Sequence, residues 1–354
     1  MQDMTMTNNS PAELTPPRSL WSLGWQRLKR DRVGFVSLWI VVAFLVVIAL
    51  CWTRLLASNW GEEVAVPYAP PTWAKGEATA ATNGATDANV LGGANGPIIT
   101  LTPEEDPIGK DIEAARADAG KYQLKATVKA DALFMGADVR GRSVVNKVLA
   151  GTSTSMLVGI FGALLSVLIG TCLGAFAGYF GRAVDDFLMW FYSVFTSVPD
   201  MLLLLAFAAV CGRGFLTLIM VLSFTSWTAT FRLVRAEFMK HRSREYVQAA
   251  DAIGASHLRR MFVHILPNIS HLLLVQFSLL LVSLIKYEVI LSFLGFGVSV
   301  RQVSWGSILG EVPAELMQGY WWQLLAVVIM MSLLVTAVSL LTDALRDALD
   351  PKVK

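Results

Sequence analysis

Residues 245–254 read Glu-Tyr-Val-Gln-Ala-Ala-Asp-Ala-Ile-Gly, and after a spacer the segment closes on Ile265-Leu266-Pro267-Asn268. The stretch lies in a polar island, Arg232–Asn268, set between two long apolar runs. Tyr246, Ala249, Ala250 and Ile253 recur at i, i+3, i+4 and i+7, which is one face of a helix. Gly254 ends that helix, and Ser256 is placed to cap the next one. Leu258, Met261, Phe262 and Ile265 repeat the spacing until Pro267, which is expected to stop it. Two short helices with apolar faces, held at a membrane surface by their flanks, make a docking device. A helix-turn-helix reader of DNA is the rival, because Ala249-x3-Ile253-Gly254-x-Ser256 puts glycine at a turn and Arg259 and Arg260 follow. Such a reader needs a free unit with its own core, which a loop of 37 residues between two spans does not offer. No nucleic-acid partner is therefore expected.

Working outward, the apolar runs decide the class. Of 354 residues, 55% are hydrophobic and only 16% charged, whereas soluble domains carry about 25% charged residues. Six runs are long enough to cross a bilayer: about Gly34–Leu56, Met156–Tyr179, Phe187–Val210, Phe215–Phe231, His271–Phe293 and Trp322–Ala344. The fold class is thus an all-α integral membrane protein with six transmembrane helices. Its expected divisions are a basic N-terminal segment (1–33), a first span (34–56), a long external loop (57–135), a core with five spans and the loop 232–268 (136–345), and a tail (346–354).

Orientation follows from the basic residues. Arg18–Arg32 is basic and amphipathic, and reads as a helix lying on the cytoplasmic leaflet. The 232–268 loop holds seven Lys/Arg residues, whereas the Gly295–Tyr320 loop holds only Arg301. Both termini and the polar island are therefore expected in the cytoplasm. Arg140, Arg142 and Lys147 fall on the outer side against this rule, where a long loop dilutes it. Pro, Ala, Thr, Gly and Asn dominate Pro70–Pro97, which reads as extended chain, and Lys110–Thr127 is more helical in composition.

Cys51, Cys172 and Cys211 lie in or beside apolar runs, so they read as small membrane-embedded side chains rather than a disulfide. No Cys/His pattern suits a metal. Gly136–Ser143 nearly fits a phosphate-binding loop, but Arg142 stands where that loop needs lysine and no α/β unit surrounds it. No ATPase of its own is expected. Small residues at four-residue steps, Ser155-Gly159-Ala163 and Ser166-Gly170-Gly174-Gly178, form a stripe that lets helices approach closely.

The polar island resembles the "EAA" coupling loop of bacterial ABC-importer permeases on Glu245, Ala249, Ala250, Gly254 and Leu266-Pro267-Asn268. Gly136, Asp138, Gly141, Arg142, Lys147 and Gly151 are similar to the G-T-D-x-x-G-R-D segment of the peptide/nickel branch, with Ala137 and Ser143 departing from it. Trp25–Gly34 resembles that branch's basic lead. Glu288–Gly297 with Ser304-Trp305-Gly306 resembles its E-x-x-L-S-F-L-G-x-G…S-W-G signature. The resemblance runs from about Trp21 to Pro351, apart from 58–132, and points to the second, C-type permease of a dipeptide/oligopeptide/nickel importer in the bacterial plasma membrane.

The resemblance implies a cytoplasmic coupling-helix loop that docks on ATPase subunits through Glu245, Tyr246, Ala249, Ala250, Gly254, Leu266 and Pro267. It implies a homologous permease as heterodimer partner, an external substrate-binding protein, ATP on the partner subunits and no cofactor on this chain. Charges within the spans need a separate account. Asp200 follows Pro199, which is expected to kink the third span. Lys286 and Glu288 are two apart, so they face different ways. Pathway and structural roles stay open for all three. A secondary transporter using Asp200, Lys286 or Glu288 as an ion site is the alternative, although no internal repeat supports it.

Overall fold

The computed structural model describes residues 20–74, 129–299 and 301–349. Of the expected extended chain Pro70–Pro97, residues 70–74 are described and form a 3-10 turn at Thr72–Ala74 rather than extended chain; the rest of it, the Lys110–Thr127 segment, residues 1–19 and the tail from 350 lie outside the described residues. Helices α1 (Leu20–Arg30) and α2 (Arg32–Trp52) open the chain, and α3 (Val144–Phe180), α4 (Arg182–Thr196), α5 (Asp200–Cys211) and α6 (Phe215–Thr225) follow. Then come α7 (Thr228–Arg242), α8 (Glu245–Ala252), a single turn (His257–Arg259), a π segment (Arg260–Ile265), α9 (Leu266–Phe293), α10 (Trp305–Met317) and α11 (Trp322–Leu349). Four helical stretches are long and apolar enough to cross a membrane: Arg32–Trp52, Val144–Phe180, His257–Phe293 and Trp322–Ala348. The pairs α4–α5 and α6–α7 bring the number to six if each is one bent span.

Pro199 does more than kink its span. The α4–α5 bend is 84°. Pro199 has extended backbone (φ −55°, ψ 131°) and stands as the residue before α5. A proline ring disfavours helical geometry at the preceding residue and supplies no N–H, so the first helix must end before it. Asp200, the next residue, is exposed at the start of α5.

Two compact units make up the chain. The first comprises Met1–Val46, Ser155–Leu291 and Met331–Lys354. Within it the small-residue stripe of α3 seats its neighbours. Gly159 faces Leu281 and Ile285 of α9, and Gly170, Gly174 and Gly178 face α7. A β-carbon at Gly174 would stand 2.7 Å from the Phe231 carbonyl oxygen. Such backbone contact is how helices pack where lipid offers no hydrophobic drive. Asp185 of α4 ties to Arg235 of α7 through two parallel hydrogen bonds of 2.5 and 2.7 Å, the strong bidentate form. Phe191 and Tyr192 of α4 stack on Trp227 and Phe231.

The second unit comprises Val47–Thr154 and Ser292–Met330. No strand forms among its described residues. Isolated bridges such as Glu63 to Arg142 and Ala65 to Ala130 tie its loops together. Helix α10 starts with a capping box in which Ser304 and Ser307 satisfy each other's backbone N–H. Tyr68 stacks on Tyr320 at 4.1 Å. Trp322 donates its indole N–H to the Ala137 carbonyl at 2.8 Å.

Candidate functional site

Helix α8 is the centre of the polar island. Arg244 precedes it in extended conformation, and Glu245 opens its first turn, where a carboxylate complements the helix dipole. Gly254 terminates it with φ +80°. The Ala255 N–H donates to the Ala250 carbonyl and the Gly254 N–H to the Asp251 carbonyl. These two bonds form a Schellman motif, whose left-handed position suits glycine. Ser256 then caps the next turn by accepting from the Arg259 N–H at 3.4 Å.

The expected apolar face divides in two. Ala250 is buried, and so is Val247 from outside that face, which joins a core cluster with Met261, Ile265, Ile269, Phe238, Val234 and Tyr179. Tyr246, Ala249 and Ile253 turn outward, with Ile253 84% exposed. The following segment divides in the same way: Met261 and Ile265 are buried, Leu258 and Phe262 exposed. Periodicity found the apolar stripe but not its division, because a stripe about 100° wide can be shared by two neighbours. Ala250 is therefore an anchor of α8 rather than part of its outer face.

Pro267 does not stop the helix. It lies in the first turn of α9, partly packed Leu266 beside it. The π segment ahead resolves the conflict, since the Leu266 N–H reaches back five residues to the Met261 carbonyl. A wide turn of this kind accommodates a residue that cannot donate. His257–Phe293 consequently reads as one stretch of 37 residues.

Arg260, read from sequence as a loop cation, is an internal clamp. It pairs with Asp251 of α8 at 2.5 Å. It also donates to His257 Nδ1 at 2.9 Å and lies 5.8 Å from the Tyr179 ring. Guanidinium only donates, so Nδ1 of His257 is the acceptor. A cavity of about 540 Å³ opens behind α8, with Arg242, Gln248 and Phe180 on its walls.

The span charges separate in role. Glu288 is fully buried and accepts a 2.7 Å hydrogen bond from Ser155. Lys286 is exposed on α9.

A second cluster was less visible in the sequence. Lys147 donates to Asp138 at 2.8 Å, to Gln323 at 3.2 Å and to Glu311. Asp138 also receives the Arg142 side chain at 2.7 Å. Burial acts to raise the Asp138 carboxyl, but the Lys147 charge and the hydrogen bonds from Arg142 and Lys147 hold it below its ordinary value. Arg142 is thus engaged within its own loop, and Gly136 and Gly141 take positive φ there. That geometry is a closed turn rather than a phosphate cradle. Glu315 of α10 is 3% exposed, with neither carboxylate oxygen hydrogen-bonded. Burial pushes it up to about 7, helped by Glu311 and Asp138 and opposed by Lys147. The Val139 amide also pulls it down slightly without reaching hydrogen-bond geometry.

Residues 170–354 match the family described as the binding-protein-dependent transport system inner membrane component. The chain belongs to this family. Residues 19–71 also match the N-terminal transmembrane domain of oligopeptide transport permease C, which places the permease with the C-type subunits. The dipeptide transport system permease protein DppC of Bacillus subtilis is 34% identical to it over 62% of this chain and 69% of the relative. The oligopeptide transport system permease protein OppC of Haemophilus influenzae is 34% identical over 62% of this chain and 70% of its own length. The dipeptide permease protein DppC of Lactococcus lactis subsp. cremoris aligns over 99% of the permease and 97% of itself at 25% identity.

Proposed function

We propose that this permease forms half of the pathway of an ATP-driven importer of short peptides, with a homologous permease as the other half. Separate ATPase subunits dock on α8 from the cytoplasm and carry the ATP. An external binding protein delivers the cargo, and this chain binds no cofactor. The basic residues of the lead and of the polar island support an orientation with both termini and α8 on the cytoplasmic side of the bacterial inner membrane. The peptide cargo is supported by the names of the relatives, which are dipeptide and oligopeptide permeases.

The carrying observation is that α8 is anchored from behind and offers an apolar row in front. Val247 and Ala250 are buried, the Schellman turn at Gly254 fixes the exit, and Tyr246, Ala249 and Ile253 remain outside. A lone surface helix of eight residues is too short to hold itself in water, so its packing makes it a rigid projection. Glu245, Gly254, Leu266 and Pro267 serve it as start, exit and base.

Cysteines at Ala249 and Ile253 should cross-link to cysteines in the groove of a co-expressed ATPase, with a yield that changes on adding ATP. A cysteine at Ala250 should cross-link poorly, because that side chain faces inward. Cross-linking from Ala250 but not from Ala249 or Ile253, in correctly inserted protein, would overturn this docking surface.

A further inference from the structure

The last turn of α2 ends in an unusual way. The Leu55 N–H donates to the Leu50 carbonyl and the Arg54 N–H to the Cys51 carbonyl. This is again the Schellman pattern, but its left-handed position is filled by Arg54 at φ 59°. Glycine ordinarily stands there, because a β-carbon makes that conformation costly. Ala57, three residues on, is left-handed as well, at φ 53°. The bend carries the Arg54 side chain to the wall of a cavity of about 460 Å³ in the second unit.

Arg301, the one cation of its loop, lines the same cavity. Asn59, Ser153, Thr154 and Gln302 also line the space. Among the described residues no acidic side chain does. Glu62 is nearby but is held by the Asn59 amide at 3.0 Å, and Glu63 is paired with Lys129 at 3.0 Å. Among the described residues neither the Arg54 nor the Arg301 side chain takes part in any hydrogen bond or ion pair. Two guanidinium groups on one polar cavity, with no partner or counter-charge among the described residues, favour an anion with two acceptor oxygens. The volume falls in the range of small-ligand sites.

We infer that this cavity is a carboxylate site in which Arg54 and Arg301 hold the C-terminal carboxylate of a short peptide, while Asn59, Ser153, Thr154 and Gln302 meet its amide groups. The inference rests on the peptide-importer reading for the identity of the anion, and on the cavity itself for its charge.

Cys51 also lines the cavity and is its reporter. The assembled transporter in membrane vesicles would be treated with N-ethylmaleimide, and labelling of each cysteine followed by mass spectrometry, with Cys211 as internal control. Trialanine should slow labelling of Cys51, and trialanine amide should need at least about tenfold higher concentration for the same protection, since a hydrogen bond to a charged group contributes about 1.5–3 kcal/mol. Arg54→Gly keeps the backbone geometry, indeed relaxes it, and should remove the preference for the free acid. Arg301→Gln should do the same, and Arg54→Lys should retain part of it. Equal protection by acid and amide, or an acid preference that survives in the R54G/R301Q double variant, would overturn the site. Protection by acetate but not by trialanine would uphold the carboxylate site and remove the peptide cargo. No effect of any carboxylate in vesicles that still take up trialanine would leave the importer reading intact and discard the site.

Discussion

Glu315 sits where its carboxyl meets neither water nor a hydrogen-bond donor, in the company of Lys147, Glu311, Asp138 and the Tyr68–Tyr320 stack. Its value of about 7 in the folded protein lies above the ordinary 4.5. The folded state therefore holds this proton more tightly than the unfolded chain does. Its stabilising contribution is complete below about pH 4.5 and is lost as pH rises through 7. Asp138 works the other way, but its lowered value keeps its contribution constant across that window. Thermal unfolding of the purified permease should thus show a lower Tm at pH 8 than at pH 5.5. Glu315→Gln should flatten the profile and restore stability on the order of 3 kcal/mol at pH 8. An unchanged pH profile in that variant would mean the carboxyl is solvated. Residues of this kind are hard to find in a sequence. Glu288 stood out as a charge in an apolar run, yet its partner Ser155 is 133 positions away. Asp138, Arg142 and Lys147 could be quoted as a motif, whereas Glu311 and Gln323, which complete their network, come from distant segments.

Elements were more legible than their faces. Helical spacing and the Gly254 break located α8 from the amino acids alone, since a Schellman turn favours glycine at its left-handed position. Which half of the apolar stripe is buried depends on α3, α7 and α9, and no local pattern carries that. Gly254→Pro should abolish uptake while leaving membrane insertion intact, because proline can supply neither the positive φ nor the N–H given to Asp251. Uptake in whole cells, set against the amount of protein in the membrane fraction, checks this, and normal uptake would remove the coupling role. Glu245→Lys should give the same phenotype by reversing the charge at the helix start. The α3 stripe belongs to this scale too. Gly174→Leu would force a side chain against the Phe231 carbonyl and Val234, and overpacking typically costs about 1–3 kcal/mol, occasionally more. A clear fall in Tm in detergent is expected, and an unchanged Tm would show that α7 can shift away.

Across the whole molecule, apolar runs marked out the six segments, and four of them are single stretches of helix. The other two are bent pairs, and the 84° break between α4 and α5 was not readable beyond the presence of Pro199. A proline in a hydropathy run announces a disturbance, while its angle is set by what the two halves pack against, here Trp227 and Phe231 for α4. The charge distribution predicts topology more directly than shape. Alkaline phosphatase joined after Asn59 should be active, and the same enzyme joined after Lys354 should be inactive. The reverse pattern would invert the protein and remove α8 from the reach of any cytoplasmic ATPase.

The π segment has a further meaning as a matter of angular phase. A turn closed over five residues instead of four contains one residue more than the α-helix it interrupts, and one residue corresponds to about 100° of rotation about the axis. The direction in which Lys286 and Glu288 point is therefore set relative to α8 by a phase offset written at Arg260–Ile265. Moving that offset along the helix, or absorbing it, would turn the spanning portion about its own axis without breaking a covalent or capping contact at either end. Rotation about the helix axis is the displacement that such an offset produces.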